Sequence, residues 1–349
     1  MLHRTKLMTA ALILTLLAQV FIVPMSGFSG VAMAYSFPPA GPHRPYWRGL
    51  FGPGAASRPD GSAAPALPPN EGNDIDSPPP AVCATPVGQL ITDTLNSAVL
   101  GQELTVQVYL PPCYDGTRYE YPTLYLLQGS GYEVGEWVDD GLTRIANLQM
   151  SLSILSPFIV VMPANDLNAS EGSKYLDTSG GQGSWEDFIV NELVPTIDQK
   201  YSTWKDRAGR AIGGISRGGY WSLEIAFSNP DLFATVGGHS PAIAASYLVG
   251  VNDDFSMLSL AKSVDAVKTL RIYLDAGDND ETLYGMQQLA GELAAQHVTY
   301  TASVGAGIHD DQYWSDRVSD YLAFYSSFWP AVARAKSRTA GTQTHILTQ

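Results

Sequence analysis

Short apolar runs recur along the middle and C-terminal parts of the chain, and most are followed by a stretch with helical spacing. The runs 123–127, 157–162, 210–215, 232–238, 269–274 and 298–304 read as strands, 123–127 and 210–215 as buried ones. Between them, 137–150 reads as loop and helix. Segments 185–201, 219–227, 280–297 and 311–333 read as helices. Ahead of this series, 88–97 and 103–110 alternate apolar and polar residues, as expected of two antiparallel strands, and Pro111-Pro112-Cys113-Tyr114-Asp115 closes the second. The pattern predicts an α/β fold: a mainly parallel central sheet, antiparallel at its N-terminal side, with helices on both faces. In such sheets ligands bind beyond the carboxyl ends of the strands. Residues 163–184 carry Gly, Ser, Asn and Asp without periodicity and read as a long loop, which together with 242–256 would shape the pocket. There is no internal repeat.

The first quarter of the chain lacks this pattern. His3, Arg4 and Lys6 precede an uncharged apolar run over 7–23, and Ala32-Met33-Ala34 supplies a small-x-small cleavage signal. Residues 1–34 read as a secretory signal cleaved after Ala34; an uncleaved anchor is the alternative, because the run is nearly long enough to span a bilayer. Residues 35–81 are rich in Pro, Gly, Ala and Ser and read as an extended spacer. The folded domain is expected over 82–335, with a polar tail at 336–349. Cys83 and Cys113 bracket the antiparallel pair, and export makes a disulfide between them the expected state. A secreted or cell-surface location follows. The formal charge of -14 argues against nucleic acid and against an anionic membrane surface as partners, so membrane association is expected only through an uncleaved N-terminal segment.

The chemistry concentrates at Gly213-Gly214-Ile215-Ser216-Arg217-Gly218-Gly219, where a strand ends and a helix begins. This is the strand, sharp turn and helix of a G-x-S-x-G nucleophile elbow. A serine hydroxyl needs a base to become a useful nucleophile. The elbow projects Oγ clear of the sheet, and the following helix turns its free N–H groups toward developing negative charge.

Two histidines compete to be that base. His309 follows the last strand within Gly305-Ala306-Gly307-Ile308-His309-Asp310, and its glycines let the loop curl over the elbow. His239 follows the strand next to the elbow and is expected near enough to line the pocket. The order Ser, acid, His favours His309. The acid is expected from Asp275-Ala276-Gly277-Asp278-Asn279-Asp280, and Asp280, past the turn, is chosen over Asp275 and Asp278. Asp278 or Asn279 would suit a helix N-cap. The aspartates do not make up a calcium ligand set, and no metal or cofactor is expected. The oxyanion hole needs two backbone amides, one from Arg217 and one from the turn after 123–127, hence Ser130 or Gly131.

The domain from about residue 82 to 330 resembles the esterase D (feruloyl esterase-like) family of the α/β-hydrolase superfamily. The matching stretches include Leu124-Tyr125-Leu126-Leu127-Gln128-Gly129, Trp137-Val138-Asp139-Asp140-Gly141, the elbow, Gly277-Asp278-Asn279-Asp280 and Gly307-Ile308-His309-Asp310. The resemblance places the acid three residues past the glycine, at Asp280. One departure stands out: Gln128 occupies a position where relatives often carry histidine. The resemblance implies an exported serine carboxylic-ester hydrolase acting on small-molecule or carbohydrate-linked esters through Ser216, Asp280 and His309 and an acyl-enzyme. The alternatives are acyl transfer of the mycolyltransferase type and a non-catalytic surface binding module.

Overall fold

In the computed structural model, residues 83, 85–130, 134–164, 181–243, 261 and 265–336 are described. The expected signal, spacer and tail beyond residue 336 lie outside them, as do Gly131 and most of the loops 163–184 and 242–256.

The chain opens with the hairpin β1 (Gln89–Ser97) and β2 (Gln102–Leu110), paired antiparallel in register from Gln89 opposite Leu110 to Ser97 opposite Gln102. A disulfide joins Cys83 to Cys113 and ties the segment before β1 to the end of β2. After β3 (Tyr119–Glu120) come the parallel strands β4 (Thr123–Leu127), β5 (Ile159–Pro163), β6 (Arg210–Ile215), β7 (Thr235–His239), β8 (Arg271–Gly277) and β9 (Tyr300–Gly305). Among the described residues the main sheet has the order β1-β2-β5-β4-β6-β7-β8-β9. The strand carrying the elbow therefore sits near the centre. The connecting helices are α1 (Glu136–Asp139), α2 (Leu142–Ser151), α3 (Trp185–Asp187), α4 (Val194–Lys200), α5 (Arg217–Ser228), α6 (Leu283–Ala295), α7 (Asp311–Ser315) and α8 (Val318–Ser326). No helix among the described residues is long and apolar enough to cross a membrane.

Side-chain alternation along the strands divides the core in two. On β4, Tyr125 and Leu127 join one cluster with Phe188, Leu223 and Phe227, while Leu124 and Leu126 join the other with Trp137, Tyr321 and Tyr325. Both faces of the sheet are covered at its centre, which is why β4, β5, β6 and β7 read as continuous apolar runs, whereas the edge strand β9 is mostly exposed.

Two expected helices differ in detail. The segment 185–201 is helical, but Phe188–Leu193 between α3 and α4 is a π-turn. Pro195 lacks the N–H that would bond the carbonyl four residues back, so the turn widens. The single helix expected over 311–333 is two. It breaks where Arg317 turns back, its Nη1 donating to the Tyr313 carbonyl (2.9 Å) and its guanidinium lying 3.6 Å from the Tyr313 ring centroid. It ends before Pro330, and β10 (Arg334–Ala335) pairs with β3 instead.

Candidate active site

Ser216 stands between β6 and α5 with φ 53° and ψ −115°, a left-handed conformation that a serine adopts only when its surroundings impose it. Close approach explains the flanking glycines. A Cβ on Gly214 would lie 2.3 Å from the Gly218 carbonyl carbon and oxygen, and one on Gly218 would lie 2.4 Å from the Leu127 oxygen. The turn is held by the Ser216 N–H donating to the His239 carbonyl (2.9 Å).

Asp280 and His309 come from the loops after β8 and β9, and those loops are stitched together. The Asp278 N–H donates to the Gly305 carbonyl (2.7 Å), the Asn279 N–H to the Gly307 carbonyl (3.0 Å), and the Gly307 N–H to Asp278 Oδ1 (3.1 Å). Neither Asp278 nor Asn279 caps a helix; Thr282 occupies the N-cap of α6. The stitching brings His309 Nδ1 to 3.0 and 3.2 Å from the two Asp280 oxygens. On the other side of the ring, Ser216 Oγ lies 2.9 Å from His309 Nε2. Asp280 selects the tautomer protonated on Nδ1, which leaves Nε2 to accept from the serine hydroxyl.

The Asp280 side chain is fully buried. Burial works to raise its pKa, but hydrogen bonds from His309, Ser240 and Thr282 outweigh it and hold the carboxyl at about 2. Thr282 contributes both its N–H and its hydroxyl, each at 2.7 Å. Ser240 is in turn fixed by Trp314, whose Nε1–H donates to Ser240 Oγ at 3.0 Å. The same indole meets the His309 ring edge-on, with centroids 5.0 Å apart. Trp314 therefore positions both partners of the serine. The sequence offered no sign of this, because an indole on the last helices looks like core.

His239 does not line the pocket as expected. It is fully buried one layer below, its Nδ1–H donating to Asp275 Oδ1 (2.7 Å) while the Tyr325 hydroxyl donates to its Nε2 (3.1 Å). Asp275 also accepts from the hydroxyls of Tyr321 (2.8 Å) and Tyr313 (3.2 Å). The three aspartates of the β8 turn thus have three separate partners: His239, the Gly307 amide and His309. Among the described residues no cluster of acidic, histidine or cysteine side chains is placed to hold a metal ion.

Above Ser216 a cleft of about 560 Å³ opens, with Gly129, Ser130 and Glu136 along it together with Asp310, Asp311 and Trp314. Arg217 Nε–H donates to Ser130 Oγ (2.8 Å), tying the β4 turn to the elbow. Gln128 bridges the same turn: its Nε2–H donates to the Pro163 carbonyl (2.8 Å), and its Oε1 accepts from the Glu136 N–H (3.3 Å). Sequence reasoning also missed Glu136, which stands beside the Trp137 of a recognisable stretch yet carries no local signature of its own.

The family model described as "Putative esterase" matches residues 97–325. The chain belongs to this family. An endo-1,4-beta-xylanase/feruloyl esterase of Xylanibacter ruminicola is 30% identical over 200 residues, covering 52% of this chain and 27% of that protein. An esterase of Mycobacterium tuberculosis is 31% identical over 144 residues, covering 41% of this chain and 30% of that protein. The match thus spans less than a third of either relative's length. Among solved structures, a ferulic acid esterase superposes with a TM-score of 0.63 at 23% identity, covering 70% of this chain and 100% of its own. An S-formylglutathione hydrolase of Staphylococcus aureus gives 0.59 at 22%, covering 70% and 99%. The fold of this family member is the α/β-hydrolase fold.

Proposed function

We propose that this protein is an exported serine carboxylic-ester hydrolase working through an acyl-enzyme. The observation that carries the reading is the continuous hydrogen-bonded line from Ser216 Oγ through the His309 ring to Asp280, opening on a cleft. Ser216 Oγ attacks the acyl carbon while its proton passes to His309 Nε2. The oxyanion is held by the Arg217 N–H and by an amide of the β4 turn, Ser130 or Gly131. Collapse breaks the bond to the alcohol oxygen, which takes the proton from His309. Water then repeats the sequence and frees the acid.

Family membership supports the ester class, and the xylanase-linked relative suggests a small-molecule or carbohydrate-linked ester as substrate. The Cys83–Cys113 disulfide and the signal-like residues 1–34 support an extracytoplasmic location. The direct test is Ser216→Ala. Turnover of short-chain p-nitrophenyl esters should fall by about four orders of magnitude or more, and labelling by a fluorophosphonate should vanish. A folded variant with near wild-type rates rejects the mechanism.

A further inference from the structure

The turn after β4 is fixed at successive residues. The Leu127 carbonyl accepts from the Trp137 Nε1–H (3.1 Å), the Gln128 side chain bridges the Pro163 carbonyl and the Glu136 N–H, and the Gly129 N–H donates to Glu136 Oε2 (2.6 Å). These anchors belong to α1 and β5. Ser130, exposed at the lip of the cleft, is fixed from the elbow itself: its Oγ accepts from the Arg217 Nε–H at 2.8 Å.

Turn and elbow also meet backbone to backbone. A Cβ on Gly218 would lie 2.4 Å from the Leu127 oxygen and 2.7 Å from the Gln128 oxygen, and one on Gly129 would lie 3.6 Å from Ser216 Cβ. Along this seam the Gly129 N–H is engaged by Glu136, whereas neither the Ser130 N–H nor the Arg217 N–H donates to an acceptor among the described residues. An oxyanion forming at Ser216 calls for donors of that kind, already in place and not committed elsewhere. Arg217 therefore carries one such amide in its own backbone, and its side chain grips the residue that carries the other. The guanidinium is kept there at a cost. Burial lowers its pKa, and no carboxylate among the described residues offsets that. Its planar Nε–H points along a fixed direction, which suits it to hold a hydroxyl in one place.

We propose that the Arg217 side chain is a positioning residue for the oxyanion hole: by holding Ser130 Oγ it aims the Ser130 N–H, beside its own N–H, at the oxygen that turns negative when Ser216 attacks. This rests on the reading of Ser216 as the nucleophile. The clamp acts on the transition state more than on the bound ester, because a neutral carbonyl draws less on the two donors than an oxyanion does. Formation and breakdown of the acyl-enzyme each pass through an oxyanion, so a loosened Ser130 slows both.

The experiment is a double-mutant cycle on a short-chain p-nitrophenyl ester with Ser130→Ala, Arg217→Met and the double variant, all of which keep both backbone amides. Each single substitution should lower kcat by about tenfold, less than the loss of a donor outright, with KM within about twofold of wild type. The double variant should fall by no more than about twofold beyond the worse single one. Losses that multiply, a loss carried by KM alone, or a Ser130→Ala kcat within about twofold of wild type each overturn the proposal. Should Arg217→Met fail to fold, Ser130→Ala decides through an alkylboronic acid, whose tetrahedral adduct with a serine sets an oxygen in the hole. Its affinity should drop about tenfold alongside kcat, and an unchanged affinity overturns the proposal. Fluorophosphonate labelling of wild type keeps the two readings apart, since a wild type that takes no label overturns the Ser216 reading itself.

Discussion

Asp280 shows how a buried charge can be held in place without a cation. It accepts from the His309 ring, the Thr282 amide and hydroxyl, and Ser240, and these together outweigh the burial that disfavours its charge. An amide in its place would present an N–H to the imidazole and select the wrong tautomer. Asp280→Asn should therefore lower kcat by about 10⁴-fold while the variant stays folded. The same carboxyl predicts an acid limb of stability. Its folded pKa lies below the usual carboxylate value, so its contribution is present above about pH 4 and is lost as pH falls toward about 2. Thermal melts across that window should show wild type losing about 2 kcal/mol that Asp280→Asn does not.

At the scale of elements, helices do work that their apolar faces do not reveal. The π-turn carries Glu192, whose carboxylate accepts from the Ala98 and Val99 amides (2.9 and 3.0 Å) and from Ser97 Oγ, so it caps the β1–β2 turn from across the sheet edge. Helix α5 has the opposite arrangement. Glu224 is fully buried, its Oε2 has no partner, and its Oε1 is only 3.5 Å from Ser228 Oγ. Burial, then the nearby Glu186, raises its pKa to about 8. A folded pKa raised above the unfolded 4.5 means stability present at low pH and lost as pH rises through about 8. Glu224→Gln removes that loss. Its Tm should exceed that of wild type by about 5 °C at pH 8.5 and by less at pH 5, read by calorimetry. An equal shift at both pH values would mean that packing, not ionisation, sets the difference.

Across the whole molecule, two histidine–aspartate couples lie in successive layers, one at the rim and one in the core. The inner couple joins β7 and β8 to α7 and α8 through Tyr313, Tyr321 and Tyr325, and the His239 ring stacks on Tyr321 with centroids 3.6 Å apart. Substituting one of them tests their separate roles. His239→Leu leaves Asp275 short of a donor and should cost about 3 kcal/mol of stability by denaturant melts, while the folded fraction should still take up a fluorophosphonate at Ser216. Loss of labelling in folded His239→Leu would place that ring in the chemistry and displace His309.

Local patterns made a good part of this protein readable. The alternation of short apolar runs with helical spacing announced a parallel sheet between helices, because each period depends only on near neighbours in the chain. The elbow was visible for the same reason: strand, close-packed glycines, serine and helix all fall within ten residues or so. Chain order favoured His309 and the place past the β8 turn favoured Asp280; the structure brings these two within hydrogen-bond distance of one another, and His309 within that distance of Ser216. The burial of His239, the support that Trp314 and Ser240 give Asp280, and the bond from the Gly129 N–H to the buried Glu136 carboxyl were not readable. They depend on β4, β6, β7, β8 and β9 lying side by side, and on loops from separate strands meeting above one edge. A sequence records how a side chain suits its own strand or helix. Whether its polar atoms find a partner is settled only when the sheet brings distant segments together.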